Sequence, residues 1–270
     1  MHALATSCAV LTVLAAAAQP PPSSFSAELW FMNEAEASES LFDPFVLALG
    51  AGALPRASFA TYVAQDAAFL KSFADAYGKA GAKCAKEDEP LRNRCETDLA
   101  ALRSAVKDEL QLHAGYAAKW GADLGAGFRP LAATTAYTTF LDDIASDETA
   151  SAAEVVAAMV PCMALYAELG RRLAQLGAGS ESGNPYGEWV DTYASDDFWA
   201  ARKTAEDLLD ALADAATAAN RPSKLKRAAA LYAEAMSLEA DFFAAQAVPP
   251  TIDDAVAAFE RRVKGGGGEL

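Results

Sequence analysis

An all-α helical bundle is what this sequence predicts, on three observations. Beyond the Pro-rich "QPPPSS", apolar residues recur at three- and four-residue steps, no run of alternating β-branched residues competes with them, and Gly and Pro fall mainly at the joints. A length of 270 residues with 53% hydrophobic content suffices for one domain with a sizeable core.

The first element, residues 1–24, "MHALATSCAVLTVLAAAAQPPPSS", is apolar for about the length of a signal-peptide core and ends in small residues suited to cleavage, although it lacks a positively charged start. It reads as a leader to an organelle or the secretory route, or as a disordered Ala-rich extension. Its apolar run is too short to span a bilayer, and no other segment is expected to do so. Helices are expected over 25–34, 38–50, 56–80, 91–120, 131–146, 151–176, 195–218 and 222–245. "NRPSK" sets Pro222 at a first helical turn, and "LGAGSESGNPYG" separates two neighbours with glycines and an Asn-Pro break. Residues 251–270 are expected to form a C-terminal helix and the Gly-rich tail "KGGGGEL", which reads as a linker.

The formal net charge of −15 would repel phosphate backbones and anionic bilayers, which argues against nucleic-acid and membrane partners. The four cysteines, Cys8, Cys84, Cys95 and Cys162, have no metal-ligand spacing and read as separate thiols. Cys84 and Cys95 would bridge only in an oxidising compartment, whereas the expected location is intracellular, in cytosol or organelle.

Several helices place a polar group where the pattern calls for a hydrophobe. In "FATYVAQDAAFLKSF", Asp66 shares a stripe with Phe59, Tyr62, Val63, Leu70 and Phe73; Glu239 shares one with Leu225, Ala228, Tyr232 and Ala235. A buried carboxylate is costly unless paired, so each either ties helices together or serves chemistry. Cys162 lies on the stripe Val155, Met159, Tyr166, Leu169, Leu173, directly after Pro161, which removes the bond to the Ala157 carbonyl and is expected to distort the turn carrying the thiol. A buried thiol is ordinarily a small hydrophobe, and Tyr166, one turn on, is a candidate partner for it. Tyr137 joins Phe140, Leu141 and Ile144 on a further stripe. Two inward acids, a thiol and several phenols together describe a pocket for a flat, uncharged ring with hydrogen-bonding edges. Glu109 and His113, four apart on one helix face, have a spacing that metal sites use, yet helical two-metal bundles need a second such pair and the chain's other histidine is His2. They read as an intrahelical or interhelical hydrogen bond, and no metal is expected.

In order, "FATYVAQDAAFLKSFADAY", "ATTAYTTFL", "AAMVPCMALYAELG", "NPYGEWVDTYAS" and "AMSLEADFF" resemble the TenA family, the thiaminase II or aminopyrimidine aminohydrolase group, over residues 29–251. The likeness is to the plant-type branch with a cysteine nucleophile, often fused ahead of a phosphatase-like domain. It implies a haem-oxygenase-like helical bundle at 25–250, a homo-oligomer (dimer or tetramer), and thiamine salvage without a cofactor. By the family's motifs, Cys162 is the nucleophile, Glu239 a proton shuttle and Asp66 a fork for the aminopyrimidine edge. Tyr137, Tyr166, Tyr193 and Phe69 border the ring, Phe69 standing where bacterial relatives often carry tyrosine. The implied substrates are small pyrimidines, 4-amino-5-aminomethyl-2-methylpyrimidine and thiamine. Two alternatives stand beside this reading: a non-catalytic pyrimidine-binding or regulatory protein, and a haem-handling protein of the same fold with His113 as axial ligand.

Overall fold

The computed structural model describes residues 23–246 and 252–265; the expected leader and Gly-rich tail lie outside them, apart from Ser23 and Ser24 of the former and Lys264 and Gly265 of the latter. Among the described residues every regular element is helical: α1 Phe25–Met32, α2 Glu34–Leu41, α3 Pro44–Ala51, α4 Arg56–Lys83, α5 Leu91–Trp120, α6 Ala132–Ser146, α7 Ala152–Gln175, α8 Gly187–Ala194, α9 Asp196–Ala218, α10 Pro222–Ala244 and α11 Ile252–Gly265.

Local chemistry explains the boundaries. Ser151 and Glu154 close a reciprocal capping box at the start of α7, Ser24 and Ser195 cap α1 and α9, and Pro222 opens α10 at a position where its missing N–H costs nothing. Two expectations need correction. The helix expected over 38–50 is two, because Asp43 accepts a hydrogen bond from the Phe45 N–H and Pro44 starts a new first turn. Residues 187–194, expected as part of a joint, form α8.

The centre of the bundle is α7, which packs against α4, α6, α8, α9 and α10. Surrounded in this way, Ala152–Ser182 is long and apolar enough to cross a membrane by length and composition, contrary to the expectation above, yet 94% of its most apolar window is buried inside the protein. It is read as a core helix. The helix runs unbroken through Pro161, so the expected break is confined to the missing bond at the Ala157 carbonyl. Two glycines permit close approaches around it. A Cβ at Gly170 would strike the backbone of Tyr193 and Ala194, and one at Gly50 would meet Leu173 and Phe259 at 2.7 and 2.8 Å, so α8 docks on α7 and α11 on α3 only because both positions lack a side chain.

The antiparallel pair α4–α5 forms one flank of the bundle. Its closed end carries a further correction: Cys84 and Cys95, expected as separate thiols, are joined by a disulfide, because the turn from α4 to α5 brings two fully buried sulfurs face to face. Cys162 is the free cysteine among the described residues.

Candidate active site

Six helices deliver side chains to one buried locus beside α7. Cys162 is 7% exposed, and Asp66, Phe69, Tyr137, Tyr166, Tyr193 and Glu239 are all buried as well; hydrogen bonds, ring contacts and charge interactions join them into one cluster.

On the side formed by α6, α7 and α10, the Cys162 thiol hydrogen-bonds the Glu239 carboxyl, whose Oε1 also accepts from the Tyr137 hydroxyl at 2.8 Å. Burial, then the nearby carboxyls of Glu239, Asp66 and Glu109, push the thiol well above its usual range. Glu239 is pushed up to about 8, chiefly by burial, although the hydrogen bonds from Tyr137 and Cys162 oppose the shift. Among the described residues no arginine forms an ion pair with Glu239, as a purely structural acid on that stripe would require. At rest, therefore, this side holds protons: a thiol next to a carboxyl whose proton affinity lies near neutrality.

The side formed by α4, α5 and α8 is ionic. His113 Nε2 lies 2.6 Å from Asp66 Oδ2, and its Nδ1 lies 3.1 Å from the backbone carbonyl of Glu109. Burial lowers the proton affinity of the imidazole, but Asp66 against it outweighs that and lifts it to about 9, so the imidazole is protonated at neutral pH. The Glu109 side chain turns away from His113 and accepts from the Tyr193 hydroxyl at 2.7 Å. Burial and the Asp66 charge raise it to about 7. The expected hydrogen bond at Glu109 and His113 is thus present on both counts, within α5 and across to α4. What the spacing did not disclose is that both partners belong to the site. Both imidazole nitrogens are engaged, which leaves neither for an axial haem bond. Among the described residues no group of three or more His, Cys, Asp or Glu side chains is arranged to hold a metal.

The aromatic walls complete the locus. Phe69 packs on Tyr137 with ring centroids 4.6 Å apart, while Tyr166, Trp189 and Tyr193 form a mutually contacting set at 4.6–5.9 Å. The Tyr166 hydroxyl, expected beside the thiol, instead accepts from Tyr62 at 3.4 Å, and Tyr62 accepts from Trp189 Nε1 at 3.0 Å. Neither Tyr62 nor Trp189 is singled out as a site residue by the sequence, because each is an ordinary core aromatic by pattern. Next to Asp66, the Gln65 amide holds the following loop through Arg129 O, Leu131 N and the Thr134 hydroxyl, at 2.7–3.1 Å, and so fixes the register of α6 and its Tyr137 against α4.

Such a set can grip a planar ring between aromatic faces, contact an amidine-like edge with a carboxylate, and move a proton between a thiol and a carboxyl.

Comparison with known proteins gives the chain its relatives. The chain is 36% identical over 252 residues to the "Bifunctional TH2 protein, mitochondrial" of Arabidopsis thaliana, covering 86% of this chain but only 39% of that protein. It is 29% identical to an "Aminopyrimidine aminohydrolase" of Halalkalibacterium halodurans, covering 75% of this chain and 87% of the relative. Among solved structures, a "TenA family transcription regulator" from a Silicibacter species superposes with a TM-score of 0.72 at 28% identity, covering 83% of this chain and 96% of that one. A TenA homologue from Pyrococcus furiosus, at 20% identity and a TM-score of 0.68, shares the helical, haem-oxygenase-like fold. The TENA/THI-4/PQQC family model matches residues 38–248, and the chain belongs to that family.

Proposed function

We propose that this protein is a thiamine-salvage hydrolase that releases ammonia from 4-amino-5-aminomethyl-2-methylpyrimidine and also cleaves thiamine, through a covalent adduct between Cys162 and the pyrimidine ring. The observation that carries this reading is the thiol of Cys162 hydrogen-bonded to Glu239 in a buried aromatic site, a pairing that simple binding does not need. The likeness to proteins named aminopyrimidine aminohydrolase supports it.

In this scheme Asp66, bonded to His113, accepts from the exocyclic amine and from the ring nitrogen beside it when that nitrogen is protonated, as in an amidinium. Glu239 takes the thiol proton as Sγ bonds to the ring carbon next to the one that bears the methylene. The electron pair of that C–N double bond moves to the adjacent ring nitrogen, which takes the proton that Glu239 holds at rest, so that the carboxyl receives the thiol proton in exchange. Electrons from the amine side then expel the leaving group from the methylene, and Glu239 hands it the proton. Water adds to the methylene, the thiolate departs and aromaticity returns. The thiol, whose burial makes a resting thiolate unfavourable, ionises only as attack occurs. Phe69 and Tyr137 on one side, with Tyr166 and Tyr193 on the other, hold the ring.

The test is steady-state kinetics on the aminomethylpyrimidine and on thiamine side by side, with Cys162→Ser as control, in buffer containing EDTA. The expected result is a higher kcat/KM for the aminomethyl compound and no activity in the variant. A higher kcat/KM for thiamine reverses the substrate order, and turnover of neither compound overturns the function. Light scattering tests the homo-oligomer proposed with it.

A further inference from the structure

The dipeptide Gln65–Asp66 stands where the two sides of the site meet, and the scheme above uses only its acid. Asp66 faces α5, where it pairs with His113. Gln65, one residue earlier on α4 and so turned about 100° around the helix, faces α6 and is 3% exposed. Its partners dictate the orientation of its amide. Oε1 accepts from the Leu131 N–H at 2.9 Å and the Thr134 hydroxyl at 2.7 Å, and Nε2 donates to the Arg129 carbonyl at 3.1 Å. A flipped amide would set donor against donor and acceptor against acceptor.

These bonds fall where α6 has least else to hold it. No side chain of its own caps the helix at Leu131, and the Gln65 oxygen takes up a boundary N–H from α4 instead. The two helices run alongside each other in the same direction. Farther along, Ser72 reaches the Thr138 carbonyl, and Lys79 and Lys83 reach Asp142, Ser146 and the Asp147 carbonyl. At the leading end, the hydrogen bonds to α4 among the described residues are those of Gln65. One turn beyond Gln65 stands Phe69, and one turn beyond Thr134 stands Tyr137; their rings pack at 4.6 Å. A polar clamp and a ring contact thus dock successive turns of α6 on successive turns of α4. The Tyr137 hydroxyl, placed in this way, donates to Glu239 Oε1 on α10 at 2.8 Å.

We infer that Gln65 is a positioning residue for the reaction: by holding the first turn of α6 on α4 it keeps the Tyr137 hydroxyl on Glu239, and so sets how strong an acid that carboxyl is. This rests on the aminopyrimidine reading above. In that scheme Glu239 gives its resting proton to the ring nitrogen, and the bond from Tyr137 favours the carboxylate left behind. The titratable groups that act on Glu239 are Tyr137 from α6, Asp66 from α4, and Cys162 and Tyr166 from α7. Of these, Tyr137 alone rides on the helix that Gln65 pins. Loosening the clamp therefore weakens Glu239 as an acid and raises the pH at which it loses its proton.

The experiment is kcat and kcat/KM for the aminomethylpyrimidine from pH 5.5 to 10.5, in wild type, Gln65→Met, Thr134→Val, Tyr137→Phe and the double variant Gln65→Met/Tyr137→Phe. Met keeps the length and bulk of Gln but makes none of its three hydrogen bonds, and Val replaces the Thr134 hydroxyl in the same sense. In wild type the falling limb of kcat/KM is expected at about 8, set by Glu239. Tyr137→Phe and Gln65→Met should each move that limb up by about one pH unit and lower kcat on the plateau about tenfold. Thr134→Val should move it the same way by less. The double variant should match Tyr137→Phe alone, because Gln65 acts through Tyr137. Titrations of the substrate are common to all five proteins, and a purely structural role would lower the melting temperature with the limb in place. A limb that stays in place in folded Gln65→Met, or a double variant displaced beyond Tyr137→Phe, overturns the inference. Should Gln65→Met misfold by circular dichroism, Thr134→Val carries the test, and a limb unmoved there overturns it. A wild type inactive on this substrate overturns the function and the positioning role together, whereas an active wild type with unmoved limbs in the variants overturns the positioning role only.

Discussion

The two sides of the site keep acids buried in opposite ways. Beside α4 and α5, Asp66 is buried with a base against it, and the result is a fixed ion pair with His113. Beside α7 and α10, Glu239 has phenol and thiol neighbours and no base, so burial keeps the proton on. The same residue class thus does two jobs: pairing places a permanent charge, and burial without pairing stores a movable proton. Substrate recognition belongs to the first arrangement and chemistry to the second.

The comparison breaks most readily at its proton-storing half. Glu239→Gln should lower turnover about a thousandfold. It should also change stability in a definite direction. A carboxyl whose folded value is raised to about 8 costs stability progressively as pH rises from the unfolded value near 4.5 through 8, at about 1.4 kcal/mol per pH unit. The glutamine variant should therefore lose less stability than wild type between pH 5.5 and 9 in urea titrations, and equal losses would show that Glu239 is not held protonated.

Next in size is the ion pair. His113→Leu should cost about 3–5 kcal/mol at pH 7, because it leaves the Asp66 carboxylate buried without its partner. The raised imidazole adds its own pH dependence: its contribution is full below about 6.5 and is lost as pH rises through about 9, so the penalty of the variant should shrink at alkaline pH. A variant as stable as wild type at pH 7 would show that the His113–Asp66 pair does not hold the fold together.

A smaller effect sharpens the comparison by lying outside it. Removing the Cys84–Cys95 link with paired serines should cost about 2–3 kcal/mol by loop entropy while kcat stays within about twofold, because the bond closes the far end of the α4–α5 pair. Smallest is Tyr137→Phe, which removes one of the two donors to Glu239. It should cost about 1 kcal/mol and move the pH dependence of turnover upward, since that donor favours the ionised carboxylate.

The sequence disclosed the helices and the chemistry-bearing residues to different depths. Asp66 and Glu239 stood out because a carboxylate on an apolar stripe is expensive, and both prove buried. For Cys162 the stripe argument was weaker than it looked: α7 is buried on nearly all sides, so any residue there would have fallen on an apolar face. The resemblance, rather than periodicity, singled it out. Glu109 and His113 were visible as a pair, but their partners lie 84 and 47 positions away, and only the packing of α8 and α4 reveals them. The Cys84–Cys95 bond was missed for a similar reason, since eleven residues of charged sequence say little about whether two sulfurs meet.

The central claim is that Cys162 is a nucleophile rather than a piece of core. It is tested most directly by turnover of the aminomethylpyrimidine paired with the thermal shift induced by the hydroxymethylpyrimidine product, in wild type and Cys162→Ala. The account predicts a loss of turnover of at least about a thousandfold in the variant, with the product-induced shift retained, because Asp66 and the aromatic walls remain, and a stability change of no more than about 1–2 kcal/mol. A variant that keeps more than about a tenth of wild-type turnover would contradict covalent catalysis at this residue.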